Sequence, residues 1–436
     1  MIYQFEIFRN LTFSEKNTFR LHVIYSLIEG IILGVLALNE FIFVRSMKGS
    51  ENLLSILFSF STIVLLFSIF FNEFLKRYQN KRKLLNIVGI ATRLPLLILI
   101  FFPGNIQELT STMSYHYIFL GIFLVYFSAQ PIILPIINLF LKQNYNHDNF
   151  GKLYSYSTML NKIVMLVTTF LVGLLLDADN FAFRYIYPII GGLGILSVYL
   201  LSLIRISEQK TLVRKPLFQS AQDSLSEFVS ILKQNKEFRD FEIGFMFYGF
   251  AFMTTAVMIT LFYDRVLNLN YSSFAFYKNF YNIVAILFLP VFGRLIGILP
   301  PRKFAAMTFT FMFFMVLFTA LTEYIPVMNV FLGIKIYYVL IVASLSYGLF
   351  AGAMPLLWSI GSAYFCKSED AATYQAIHLS LTGVRGCFAP FIGILIYKHS
   401  SFSVTFLLAL LSLLIAIFYM VYSAKNDREM TVSKVK

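Results

Sequence analysis

Four ionisable side chains, Glu29, Arg93, Lys162 and Arg385, fall near the middle of long apolar runs. A charge at the centre of a hydrocarbon layer costs roughly 3 kcal/mol or more, so each position asks for a reason. A carboxylate placed there can gain and lose a proton as its surroundings change. It can equally hold helices together through a permanent ion pair with Lys162 or Arg93. Both readings of Glu29 stand at this level. Glu29 also belongs to a polar stripe, with His22, Tyr25, Ser26 and Gly30 at helical spacing and Glu40 eleven residues further on. Eleven residues turn an unbroken helix by ~1100° and advance it by ~16 Å, which puts both carboxylates on nearly one face.

A second stripe is formed by Tyr374, His378, Thr382 and Arg385, spaced four, four and three. In lipid its donors would be left unsatisfied, so it must meet protein or water. Packing against the other half of the chain and direct contact with a ligand are the two expectations. Gln130, Asn138 and Trp358 are further polar groups in apolar surroundings. Arg93, Lys162 and Arg385 outnumber Glu29; sharing one cavity, they would favour an anionic ligand.

The elements that carry these residues are read from hydropathy. Twelve apolar stretches are each long enough to cross a ~30 Å hydrocarbon core as a helix. They lie near 19–44, 52–71, 84–102, 115–141, 153–176 and 182–205, then 239–263, 272–292, 303–322, 335–364, 372–397 and 402–423. Open strand edges are not tolerated in lipid, and the runs are too long and too uniform for barrel strands. The expected class is an all-α membrane protein with 12 transmembrane helices in two pseudo-symmetric six-helix bundles. Residues 1–206 form the first bundle, 207–238 a cytoplasmic amphipathic linker, and 239–436 the second bundle with a short tail. Pro131, Pro135 and Pro355 mark expected kinks.

Composition agrees. Hydrophobic residues make up 58% of the chain and charged ones 13%, against about 25% charged in soluble domains. Residues 1–18 do not read as a cleavable leader, and the first apolar run is too long for one, so it is expected to be retained. Cys366 and Cys387 offer neither a disulfide framework nor metal spacing. The five histidines are scattered, and no Gly-rich phosphate loop or nucleophile elbow occurs. The expectation is therefore no cofactor, no metal and no enzymatic activity, with a membrane-embedded enzyme as the reading from another class.

Charge sets orientation. Of the 35 Lys and Arg, only Arg45, Lys48, Arg184, Arg265, Lys335 and Lys398 fall in loops on the side opposite the termini. Positive residues stay cytoplasmic during insertion, so both termini are expected in the cytoplasm. The net charge of +13 follows from that topology and is spread over separate loops, unlike a nucleic-acid surface. Within the linker, Leu225, Phe228, Ile231 and Leu232 recur at helical spacing, as in a helix lying along the membrane surface.

The two halves repeat at an offset of about 220 residues: Phe19, Arg20 and Gly30 recur as Phe238, Arg239 and Gly249. Arg45, Pro135, Tyr154 and Gly173 likewise recur as Arg265, Pro355, Tyr374 and Gly393. On this layout, and on two short basic loops, the chain resembles the major facilitator superfamily. The family's loop between the second and third spans reads Gly-x-x-x-Asp-Arg-x-Gly-Arg-Arg, with a degenerate copy between the eighth and ninth. Here the first copy runs from Asn72 to Lys83 and the second from Gly293 to Lys303. Lys81, Arg82, Lys83, Gly293, Arg302 and Lys303 fit the pattern. Asn72 replaces the first glycine, and Lys76 and Gly297 stand at the acidic position, so any latch made by that acid in the family must be made differently here.

The resemblance implies two parallel six-helix repeats that rock about a site at mid-membrane. It puts Glu29 on a wall of the central cavity and the eleventh span beside it. The implied function is a monomeric secondary transporter of a small solute in the cytoplasmic membrane, with protons as the coupling ion. Glu29, Glu40, Arg93, Lys162, His378 and Arg385 are its substrate or coupling candidates. Gln130, Asn138, Trp358, Tyr374 and Thr382 are its lining candidates. A flippase for lipid-linked saccharide is the alternative within transport.

Overall fold

A computed structural model describes residues 11–66, 80–145, 147–204, 217–366 and 371–435. Asn72 and Lys76 lie outside them. Eleven helices among the described residues are long and apolar enough to cross a bilayer. The expected second span appears as a shorter apolar helix, Glu51–Leu66, and its predicted end at residue 71 lies beyond the described segment.

The first expected span is α1 (Phe13–Leu36) followed by α2 (Asn39–Arg45). Thr12 and Glu15 start α1 with a reciprocal capping box, Thr12 N donating to the Glu15 carboxylate at 2.9 Å and Glu15 N to Thr12 Oγ1 at 3.2 Å. A two-residue turn at Ala37 and Leu38 separates α1 from α2 within the apolar span Phe13–Arg45, so the ~1100° estimate for Glu29 and Glu40, which assumes an uninterrupted helix, crosses that turn. Glu51–Leu66 is α3.

Asn80 caps α4 (Lys81–Arg93), and the chain then winds more tightly into a 3₁₀ segment, Leu94–Phe101. Pro95 explains the change, since a proline removes a helical donor and crowds the preceding turn. The third expected span is thus only half α-helical, and Arg93 stands at the junction. After a short α5 (Ile106–Ser111), the fourth span is split into α6 (Ser114–Phe127) and α7 (Gln130–Asn144). The break falls immediately before Pro131. Then come α8 (His147–Ala178) and α9 (Phe183–Ser202).

The linker contains α10 (Leu217–Gln234), close to the expected amphipathic helix. Asn235 ends it and caps α11 (Lys236–Arg265) by accepting from Phe238 N at 3.0 Å. Helices α12 (Tyr271–Ile298) and α13 (Pro301–Tyr324) follow. A hairpin comes next: β1 (Met328–Phe331) pairs antiparallel with β2 (Ile334–Tyr337). Its two-residue turn places Leu332 and Gly333 at φ 49° and 78°, the backbone of the hairpin turns that match strand twist. This corrects the tenth span, read as 335–364. Residues 335–337 belong to the strand, and the helix α14 is Tyr338–Ile360. It also adds a small β element to a fold expected to be wholly helical. A 3₁₀ turn (Ser362–Phe365), α15 (Ala371–His399) and α16 (Phe402–Val435) complete the chain.

Two compact units result: residues 1–48 with 70–217, and 49–69 with 218–436. The same pairings occur in each, α1 against α8 and α9 in the first, α11 against α15 and α16 in the second. Small residues allow the close approaches. A Cβ on Gly30 would lie 2.6 Å from Asn161 O and one on Gly34 2.7 Å from Thr168 Cβ, the small-xxx-small contact typical of membrane helices. Helix α3 packs in the second unit against α15, where Gly383 and Gly386 meet Leu66 and Thr62.

Candidate functional site

In the first unit, α1 and α9 bring Glu29 and Ser197 together: Ser197 Oγ donates to Glu29 Oε1 at 2.9 Å and is also 3.0 Å from Gly194 O. Glu29 is half-buried, and Ser197 is buried. Arg93 reaches the same region, its aliphatic stem against Gly194, where a Cβ would come within 2.8 Å of Arg93 Cγ. Its Nη1 donates to Thr92 Oγ1 at 2.6 Å, and the guanidinium carbon stands 5.1 Å from the centroid of the Tyr126 ring. Nε has no partner among the described residues. Glu29 forms no direct ion pair with Arg93 or Lys162. Lys162 is half-buried on α8, and the adjacent Asn161 instead ties the helices, donating to Ser26 O at 2.8 Å.

One helical turn and more toward the start of α1, buried His22 pairs through Nδ1 with the Tyr145 hydroxyl at 3.1 Å. Burial, with the Glu15 carboxylate adding to it, pushes the Tyr145 phenol well above its ordinary range, so it meets His22 as a neutral hydroxyl. Glu40 is half-buried on α2, past the helix break. Gln130 is half-buried at the start of α7, and the Asn138 side chain lies outside the described residues.

In the second unit, two stripes face each other along α11 and α15. Asn235, Phe238, Glu242, Phe245 and Gly249 line one; Tyr374, His378, Thr382 and Arg385 line the other. Asn235 Nδ2 donates to Tyr374 OH at 3.1 Å and to Phe365 O at 2.9 Å. His378 Nδ1 lies 2.9 and 3.2 Å from the two oxygens of Glu242. Arg385 spans the next turn, Nη1 donating to Phe245 O at 2.8 Å and Nη2 to Thr382 Oγ1 at 2.9 Å. Its guanidinium crosses Gly249. The α15 stripe therefore faces α11, and it is the opposite, glycine-bearing face of α15 that meets α3. Trp358 stands near the stripe, its ring 6.2 Å from His378.

Glu242, three residues inside the predicted start of its span, was not singled out by sequence. The signal was present: Asn235, Phe238, Glu242, Phe245 and Gly249 repeat three, four, three and four, a one-face helical spacing like the four, four and three of the α15 stripe. Ser197 escaped notice as one serine among many in apolar runs.

The basic loops have structural partners. Arg82 Nη2 donates to Ile204 O at 2.8 Å. Arg302 is buried, 3.9 Å from a Glu237 oxygen and over the Phe365 ring, while Tyr419 donates to nearby Asp240 at 3.0 Å. Lys81 follows Asn80 at the start of α4, Gly293 and Gly297 lie on α12, and Lys303 sits half-buried on α13.

A chain with this many apolar helices, bonded internally through buried carboxylates and cations, is a multi-pass helical membrane protein. Its sequence matches the family model described as Major Facilitator Superfamily over residues 21–369, and the chain belongs to that family. Among solved structures it is similar to the nucleoside transporter NupG, at 14% identity, with a TM-score of 0.67 covering 95% of this chain and 100% of that one. It is also similar to a D-xylose–proton symporter, at 14% identity and a TM-score of 0.59, covering 94% and 97%. A proton-dependent oligopeptide transporter gives 12% identity and a TM-score of 0.64, covering 94% and 99%. Among curated proteins no sequence match is found. These likenesses establish the fold.

Proposed function

We propose that the protein is a secondary active transporter that moves a small polar solute across the cytoplasmic membrane by alternating access, with protons as the coupling ion. In this reading twelve spans form two six-helix halves, residues 1–206 and 239–436, joined by a cytoplasmic linker at 207–238. Both termini are cytoplasmic, as the bias of Lys and Arg supports, and the protein acts as a monomer. The observation that carries the proposal is the Glu29–Ser197 contact at 2.9 Å. A carboxylate in an apolar span meets a hydroxyl, with a cation in reach but no ion pair to fix its charge. Such a group can change protonation as access alternates.

The family membership supports transport in general. Nucleosides, pentoses and short peptides are the solutes named for similar structures, so they are the first to test. The excess of buried cations over carboxylates, which favoured an anionic solute, is reduced by the pairing of Glu242 in the second unit. The remaining argument for an anion rests on Arg93 and Lys162.

The test is thermal unfolding of the purified protein in detergent against nucleosides, pentoses, dipeptides and small carboxylates at two pH values. Saturable, pH-dependent stabilisation by one class supports the reading. Stabilisation by neutral sugars alone removes the anionic solute, and binding indifferent to pH and to Glu29→Gln removes the proton.

A further inference from the structure

The hairpin between α13 and α14 has two unlike edges. Its register turns the backbone groups of Lys335 and Tyr337 out of one edge and those of Met328 and Val330 out of the other. The β2 edge is taken up by the start of α12. Lys335 N donates to Ser273 Oγ at 2.8 Å. The Tyr277 hydroxyl donates to Lys335 O at 3.1 Å and accepts from Tyr337 N at 2.7 Å. Asn270, which caps α12, donates to Gly333 O at 3.0 Å. Lys335 turns its ammonium the same way, to Asn268 O at 2.6 Å. The hairpin is thus fixed beside the first turns of α12, near the end of α11 remote from α10.

The β1 side is open. All four of its residues are exposed, and at the tip Phe331 and Leu332 are 64% and 84% exposed. No Asp, Glu, Lys or Arg occurs from Tyr324 to Ile334, although edge strands that face water ordinarily carry charge. Leu332 is held at φ 49°, where a bulky side chain is strained and asparagine or glycine is the usual choice. A large apolar group kept at a strained, exposed tip calls for something that receives it.

The surroundings say what that is. Tyr338, Val342 and Leu345 are exposed at spacing four and three, one apolar face of α14. Asn329 of β1 donates to the Tyr338 hydroxyl, so β1 overlies the head of that face. At the other end of the loop, the Tyr324 hydroxyl pairs with Ser403 Oγ at 2.9 Å. Tyrosines so placed at helix ends are the pattern of a membrane interface. Depth agrees. Helix α12 has 28 residues, ~42 Å of rise, about 12 Å more than the hydrocarbon core. Shared between its two ends, that excess carries each ~6 Å into the headgroups. The contacts with the hairpin run from Asn270 to Tyr277, ~10 Å along the axis, and so straddle the boundary between headgroups and acyl chains.

We propose that the hairpin is a lipid-binding wedge. Val330, Phe331 and Leu332 insert among the upper acyl chains of the adjacent leaflet. The open backbone of Met328 and Val330 bonds to water and headgroup oxygens, which a deeper position in hydrocarbon would deny it. The competing occupant is a second copy pairing edge to edge. Two outward-facing residues make a short edge for such pairing, whereas the apolar tip continues the exposed face of α14. The wedge requires that the chain span a membrane and is independent of transport.

The chain has a single tryptophan, Trp358, so Phe331→Trp combined with Trp358→Phe leaves one reporter at the tip. In phosphatidylcholine vesicles, bromines placed high on the acyl chains are expected to quench most of its emission. Bromines near the chain ends quench less, and acrylamide in the water quenches weakly. Adding Leu332→Asn, which eases the turn and removes an apolar group, shifts the emission to the red and weakens quenching by bromine. Emission quenched freely by acrylamide and untouched by brominated lipid puts the hairpin in water and overturns the wedge. Emission shielded from both quenchers overturns it too, and a second copy is then the occupant if dilution in lipid restores quenching. Should Trp358→Phe not yield monodisperse protein, the difference between Phe331→Trp and the unaltered protein gives the same answer. The measurement registers lipid contact alone, so its failure leaves the proposed transport untouched.

Discussion

The Arg385 side chain lies directly across Gly249, filling the space a Cβ would need. Only glycine lets the guanidinium reach Phe245 O at 2.8 Å while staying bonded to Thr382. The expectation for Gly249→Ala is displacement of Arg385 and loss of a donor to a buried carbonyl, about 1–3 kcal/mol. Apparent melting temperature in detergent measures it. If the contact is the cause, Gly249→Ala combined with Arg385→Ala costs less than the sum of the two single changes.

Glu29→Gln keeps an oxygen that accepts from Ser197 and removes the capacity to ionise. Its melting temperature should stay close to that of the unaltered protein, while solute-driven uptake into proteoliposomes loses its dependence on a pH gradient. Unchanged uptake with unchanged pH dependence would exclude Glu29 from proton handling.

The contact of α1 with α8 should tolerate no side chain at Gly30 or Gly34. A Cβ at Gly30 would be 2.6 Å from Asn161 O, and one at Gly34 2.8 Å from Met165 O. Backbone atoms cannot swing aside as a flexible side chain can, so valine at either site should cost about 1–3 kcal/mol through overpacking. Gly192→Ala, with nothing within 4 Å of the added methyl, serves as the neutral comparison in the same unfolding assay.

Glu51 at the start of α3 bonds Arg265 at the end of α11, and Lys398 of α15 lies 3.5 Å from its other oxygen. The cations are 40% and 41% exposed, so solvent screening limits the pair's worth to about 0–1 kcal/mol. Glu51→Gln should lower the melting temperature slightly in dilute salt. The difference should vanish near 1 M salt, where the screening length is ~3 Å. A difference that persists there would mean the triad is held by more than charge.

Much of the fold was legible because lipid leaves a helix few alternatives: apolar length and loop charge were enough to find most spans. The errors fall where a backbone changes its winding. Pro95 tightened a predicted helix into 3₁₀ geometry, a turn at Ala37 and Leu38 interrupted the first span, and the 328–337 hairpin borrowed residues from the tenth. Hydropathy averages over such features. For the candidate site, the α15 stripe was visible from its spacing, yet its partner was not. Glu242 lies 136 residues from His378, and only the packing of α11 on α15 shows that the two meet. The contact between Ser197 and Glu29 joins residues 168 apart in sequence, a distance no local pattern encodes.

The tightly wound stretch Leu94–Phe101 has a mechanical corollary. Eight residues in that geometry extend about 16 Å, against about 12 Å for an ordinary helix. Converting one form into the other would change the segment's reach by roughly 4 Å as i→i+3 hydrogen bonds give way to i→i+4 ones, with no loop lengthened. Arg93, the residue immediately before that stretch, would take up the displacement at its start.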